Sequence, residues 1–355
     1  MLRYLLEAAA ALIASVALVG AARRWARRRN VLDHANDRSL HLHPTPRGGG
    51  IGIVIPVCAA IAVAEAFIPE LKAAALWIAG IGLLVAAVGL ADDLRGLPAL
   101  TRLVAHLSAG ILVVVGIGTW TNFAWPGLWS LDLGWAAIPF TVLLVAGFIN
   151  AYNFMDGVDG IAGGQGVVAG LGWIGAGYAL HAPLVIVAGT AIASASLGFL
   201  FFNWPPASIF MGDVGSGFLG FVLAALVVFV SPRSHAAATA GILFIWPFVF
   251  DTAFTLVRRA RRGENLLSAH RSHLYQRLVL TGISHRAVAL LYAVLASVGV
   301  AGGVAVARDA RLPSIAAAFL IPSLAAGLWL VVIWRERHHP IPAALGPPLH
   351  SPAAR

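Results

Sequence analysis

Asp92 and Asp93 stand side by side at the end of an apolar run. Neighbouring carboxylates repel, so at a membrane edge they invite a divalent cation or a basic partner, unless they merely solvate a helix end. A second cluster, Asn150 to Gly160, holds Asn153, Asp156 and Asp159, with a glycine after both aspartates. If helical, it sets Asn153 and Asp156 on one face; an ordinary polar turn is the plainer alternative. A third, Asn203 to Gly217, starts a helix at Asp213. There the helix dipole favours a carboxylate as N-cap, a metal-ligand role is compatible with that, and adjacent glycines let a phosphate approach backbone amides. The fourth, Asp33 to Gly50, carries His34, His41, His43 and Arg47 ahead of three glycines, groups suited to a diphosphate. Its His-x-His spacing argues only weakly for zinc, because cysteine ligands are absent and the carboxylates favour a hard cation. The last cluster is His270-Arg271-Ser272-His273. The Arg258, Arg259, Arg261, Arg262 run before it is accounted for by topology, whereas the two histidines repeat the phosphate-binding chemistry of the fourth cluster.

Helices in lipid must position these residues. The chain has 355 residues, 59% hydrophobic and 11% charged, too apolar to stay dispersed in water. Apolar windows of roughly 20 residues, enough to cross a bilayer as a helix, recur at residues 4–22, 51–68, 73–91, 103–119, 135–151, 161–180, 183–202, 214–230, 236–257, 287–306 and 314–334. They lack the alternation of a barrel strand. The expected fold is therefore all-α, a polytopic membrane protein with about 11 transmembrane helices. Arg23, Arg24, Arg27, Arg28 and Arg29 follow the first window, a stop-transfer flank rather than a signal peptide. This puts the N-terminus outside and the C-terminus in the cytoplasm. Of the 24 lysines and arginines, only Arg3, Lys72, Arg233, Arg308 and Arg311 then lie outside, as the positive-inside tendency requires. All five clusters fall on the cytoplasmic side.

Residues 1–334 read as one transmembrane domain and 335–355 as a disordered tail without chemistry. The Trp-rich stretch from Trp120 to Trp135 reads as an interfacial aromatic belt. Cys58 is the single cysteine, so no intramolecular disulfide forms. Asp251, inside a window, is expected to pair with a nearby arginine, and His106 to be a packed side chain. A polytopic transporter is the rival reading; the sidedness of the carboxylates argues against it. Nothing points to nucleic acid as a partner.

Taken together, five ordered features resemble the polyprenyl-phosphate N-acetylhexosamine-1-phosphate transferases of glycosyltransferase family 4, which include the WecA, WbpL and MraY types. They are Pro44-Thr45-Pro46-Arg47-Gly48-Gly49-Gly50, Asp92-Asp93, Asn153 to Gly160, Asn203 with Phe210-Met211-Gly212-Asp213, and His270 to Gln276. The first of these, with Asn36 to Ser39 and His41, is closest to the WbpL type. The resemblance implies a magnesium- or manganese-dependent transfer of sugar-1-phosphate from a UDP-N-acetylhexosamine to undecaprenyl phosphate in the bacterial inner membrane, releasing UMP and starting an O-antigen-like polysaccharide. It implies catalytic roles for Asp92, Asp93, Asp156 and Asp159, and metal binding by Asp213 and Asp92. Substrate contacts are implied for Asn153, Asn203, Arg47, His41, His270, Arg271 and His273. The sugar is left open among N-acetylglucosamine, N-acetylfucosamine and N-acetylquinovosamine, because Tyr275 and Gln276 stand where the family often has further histidines. Homodimers occur in the family.

Overall fold

The computed structural model describes residues 1–33, 44–65, 72–125, 129–266, 268 and 270–339. Its helices are α1 (Leu2–Arg28), α2 (Ile51–Glu65), α3 (Lys72–Arg95), α4 (Ala99–Gly116), α5 (Ala137–Met155), α6 (Ile161–Ala179), α7 (Pro183–Asn203), α8 (Asp213–Val230), α9 (His235–Phe244), α10 (Trp246–Arg261), α11 (Leu274–Leu280), α12 (His285–Ala307) and α13 (Arg311–His338). Two short antiparallel hairpins, absent from the sequence reading, join them: β1 (Leu32–Asp33) with β2 (Thr45–Pro46), and β3 (Asn122–Trp125) with β4 (Trp129–Asp132). The second hairpin takes up part of the Trp-rich stretch.

Among the described residues, eight helices are long and apolar enough to cross a membrane, or nine if the bent pair α9–α10 counts as one span. The chain is an all-α polytopic membrane protein. Windows 51–68 and 161–180 form α2, which is shorter, and α6, which is rich in glycine. Window 236–257 departs most from a plain span: α9 and α10 meet at 74°. Pro247 in the first turn of α10 explains the break, since proline lacks an N–H and cannot continue the α9 ladder. At the other end of the chain, α13 continues to His338, so residues 335–338 belong to the folded body rather than to a tail. Residues 340–355 lie outside the described ones.

The helix α8 is apolar all round, and Val214 to Val230 are all buried, as expected of a helix with no lipid- or water-facing stripe. Its N-terminal end, at Asp213, therefore has neighbours on every side. One is α3, which approaches backbone to backbone: a Cβ on Gly89 would lie 2.3 Å from the Asp213 carbonyl oxygen. Backbone cannot step aside, so Gly89→Ala must displace α3 one turn from Asp92 and Asp93. The expected result is a loss of about 1–3 kcal/mol of stability, read by thermal unfolding in detergent micelles, together with reduced turnover. An unchanged melting curve would contradict the close approach.

Candidate active site

Backbone hydrogen bonds assemble the site before any side chain does. The loop that follows β2 lies along the loop that precedes α8: Phe210 N–H donates to Pro46 O (2.8 Å), Gly49 N–H to Phe210 O (2.9 Å) and Gly50 N–H to Met211 O (2.8 Å). This lacing carries Arg47 to Asp213. Gly212 has φ +76°, and a Cβ there would meet Asp93 Oδ2 at 2.4 Å, so the turn into α8 requires glycine.

The Asp93 carboxylate accepts from Asp213 N–H (2.9 Å) and Val214 N–H (3.1 Å), satisfying two free donors at the start of α8. Its Oδ1 also lies 2.8 Å from Arg47 Nε. Asp93 thus ties three elements together and does not line the cavity. Asp213 sits between two guanidiniums, Arg47 at 3.3 Å and Arg102 at 3.4 Å. Arg102 also reaches Asp92 Oδ2 at 2.9 Å, and the other oxygen of Asp92 accepts from Leu97 N–H. The Asp92 and Asp213 carboxyl groups are within hydrogen-bonding reach of each other. Each arginine consequently bridges Asp213 to one member of the acidic pair.

Asp213, Arg47 and Arg102 open onto a polar cavity of about 310 Å³ that also takes in Asp33, Asn153, Asp156, Asp159 and His270. Asp156 follows the last turn of α5, and no described residue forms an ion pair with it. Burial and then the negative charge of Asp213, only partly offset by Arg47, push its pKa well above the carboxylate range. Asp159 is anchored instead: Oδ2 accepts from Ala207 N–H at 3.0 Å, and Oδ1 is 3.5 Å from His285 Nδ1. Asn153 donates to Ser216 Oγ on α8 (3.2 Å).

Asn203 accepts from Gly160 N–H (2.9 Å) and donates to Ile209 O (3.0 Å), so both ends of its amide hold backbone. It positions the loops on either side of the cavity. His270 lies against the Phe154 and His273 rings, with Nδ1 2.9 Å from Ser272 Oγ. Burial, then His273 and the nearby arginines, lowers its pKa to about 3, so it meets a ligand as a neutral hydrogen-bonding group. Arg271 and His273 are not among the lining residues, and His41 lies outside the described residues. A larger cavity, about 470 Å³, is lined by apolar side chains such as Trp246, Phe250 and Trp329 and has nothing with which to hold phosphate.

Asp251 does not pair with an arginine as expected. Fully buried in α10, it accepts from Leu274 N–H (2.7 Å), Tyr275 N–H (3.0 Å) and Tyr292 Oη–H (2.6 Å), and His273 Nδ1 is 3.4 Å away. His106 is buried on α4, as expected.

The glycosyl transferase family 4 model matches residues 75–231, the stretch from α3 to the end of α8. A probable undecaprenyl-phosphate N-acetylglucosaminyl 1-phosphate transferase of Bacillus subtilis is 32% identical over 292 residues, covering 81% of this chain and 80% of its own length. The chain belongs to glycosyl transferase family 4. A decaprenyl-phosphate N-acetylglucosaminephosphotransferase of Mycolicibacterium smegmatis is 35% identical, covering 73% of this chain and 71% of its own. The undecaprenyl-phosphate alpha-N-acetylglucosaminyl 1-phosphate transferase of Escherichia coli K12 is 29% identical, with 79% and 78% covered.

Within this family-4 site, Arg102 and His285 escaped the sequence reading. Both stand near the end of an apolar helix, Arg102 in the first turn of α4 and His285 at the start of α12, where a cation is explained by topology alone. Only the spacing of Arg102, ten residues beyond Asp92, offered a hint. Tyr275 and Gln276, noted as departures from the family pattern, line the cavity.

The donor set suits a hard cation. No three acidic, histidine or cysteine groups among the described residues converge at coordination distance. Magnesium does not need them to, because it keeps several waters and takes one or two carboxylates together with substrate phosphates. The Asp92 and Asp213 carboxyl groups, within hydrogen-bonding reach of each other, provide such oxygen donors.

Proposed function

We propose that the chain transfers N-acetylhexosamine-1-phosphate from a UDP-sugar to undecaprenyl phosphate. A lipid phosphate oxygen forms a bond to the β-phosphorus of the donor, the bond from that phosphorus to the bridging oxygen breaks, and UMP leaves with the bridging oxygen. The observation that carries the reading is Asp213 held between Arg47 and Arg102 at the mouth of a polar cavity. Anionic acceptor meets anionic donor in this reaction, so the site's first task is to offset charge. Arg47 and Arg102 can each exchange a carboxylate for a phosphate oxygen without leaving the cavity. Bound magnesium or manganese would screen the phosphates from one another and stabilise the leaving group; Asp213 and Asp92, with Asp156, would hold it.

Asp92 is proposed to position rather than to abstract a proton. Both of its oxygens are engaged, by Leu97 N–H and Arg102, and a phosphate monoester with a second pKa of about 6 is already largely ionised at neutral pH. Neutral His270, Gln276 and Asn153 are donors for the nucleotide and sugar.

The finer expectations form part of the same proposal: eleven crossings with the N-terminus outside, residence in a bacterial inner membrane, initiation of an envelope polysaccharide, and homodimers on the family resemblance alone. The names of the relatives put N-acetylglucosamine first among candidate donors; the WbpL-like loop keeps N-acetylfucosamine and N-acetylquinovosamine on the panel. The test is UMP release by purified protein from each UDP-N-acetylhexosamine, with and without undecaprenyl phosphate and magnesium. Acceptor-dependent release with one donor is expected. No release from any donor by folded protein would overturn the reading.

A further inference from the structure

The helix α11 brings Tyr275 and Gln276 to the cavity wall, yet at seven residues it is too short to be stable alone. It is clamped at both ends. Asp251 accepts the N–H groups of Leu274 and Tyr275 at its start. At its far end Arg277 meets Glu336 of α13 through two parallel bonds, Nε to Oε1 at 2.6 Å and Nη2 to Oε2 at 2.5 Å, with the side chains 4% and 9% exposed. Arg335 adds a bond to Thr281 O at 2.8 Å. Within α11, the Tyr275 hydroxyl donates to Phe154 O (2.9 Å), and a Cβ on Gly157 would lie 2.2 Å from that hydroxyl. Tyr275 therefore sets the turn that carries Asp156 and Asp159.

We infer that Glu336 is a positioning residue for the transfer site, acting through Arg277 and α11 on Tyr275 and the turn it supports. The inference builds on the transferase reading. Glu336 is not among the residues lining the cavity, and it lies in the part of the chain that composition alone assigns to a tail. Its role follows from geometry: a bidentate, nearly buried arginine–carboxylate pair fixes direction as well as distance. Losing the carboxylate strands the buried Arg277 cation, which must then turn toward water and draw α11 with it.

The test is a cycle of Glu336→Gln and Tyr275→Phe, with Glu336→Asp as the charge-conserving variant. Glu336→Gln should lower kcat/KM about ten-fold or more, the scale expected when a reacting group is misplaced by a fraction of an ångström to an ångström, when assayed well below a melting temperature that the stranded cation itself lowers. Glu336→Asp should recover most of that loss. The double variant should lose no more than the worse single one, because both act through one contact. Wild-type kcat/KM in Glu336→Gln, or losses that add, would overturn the inference. If Glu336→Gln does not fold, Arg277→Lys, which keeps the cation but not the two parallel bonds, completes the cycle with Tyr275→Phe. Hydrogen exchange needs no substrate and separates the two readings. Faster exchange in 154–160 and 274–281, in a protein that transfers no sugar, would sink the transferase reading and leave the linkage standing; unchanged exchange would sink the linkage.

Discussion

Asp213→Asn is expected to cut UMP release by about 10²–10³-fold while leaving the protein folded. The side chain is nearly isosteric, and the start of α8 keeps its cap because the capping carboxylate belongs to Asp93. What disappears is the charge that Arg47 and Arg102 share. Without it the two guanidiniums lose their common anchor, and two of the preorganised cations that meet the phosphates are misplaced; removing one such electrostatic element elsewhere costs about 10²–10³ in rate. The measurement is initial rate at saturating donor and acceptor, alongside a melting curve. A folded variant with wild-type rate would remove Asp213 from the site.

Asp156→Asn should separate stability from activity. Asp156 has its pKa raised by burial and by the Asp213 charge, so the folded protein holds that proton more tightly than the unfolded chain does. Above the ordinary carboxylate range the unfolded state binds fewer protons at this position, and folding stability falls as pH rises towards the raised pKa. Asparagine carries no charge and is exempt. In EDTA, the variant should therefore melt above wild type, with a gap that widens as pH rises above the ordinary carboxylate range towards the raised pKa, whereas its UMP release should fall by about ten-fold or more, as expected where function retains a destabilised group. Parallel melting curves would mean that Asp156 already has a charge partner. Added magnesium should narrow the gap if the ion binds here.

Most of this site was legible as composition before it was visible as geometry. Asp92, Asp93, Asp156, Asp159 and Asp213 stood out because carboxylates beside apolar windows are costly, and the structure draws all five to the end of α8 or the turn beside it. Family membership then decides between transferase and transporter. What the sequence hid was division of labour. Asp93 and Asp213 look alike in a string, but one faces the α8 amides and the other faces two arginines, a difference set by the backbone lacing of Pro46, Gly49 and Gly50 to the 210–211 strand-like segment. Asn203 looked like a ligand contact; it lines the cavity, and its amide also holds the backbone of Gly160 and Ile209, which composition does not reveal. Pro247 was in plain view inside window 236–257, yet hydropathy averages over a residue whose effect is on direction. Without that bend, Asp251 would continue along a straight span rather than reach Leu274 and Tyr275.

The enclosure of α8 has a bearing on the lipid environment. Outer helices expose large apolar side chains such as Leu6, Leu83, Leu143 and Leu330, so a thicker or thinner bilayer acts on them by tilt. No residue from Val214 to Val230 is exposed. The depth of Asp213 is consequently set by contacts among helices, and hydrophobic mismatch is absorbed at the rim before it reaches the phosphates.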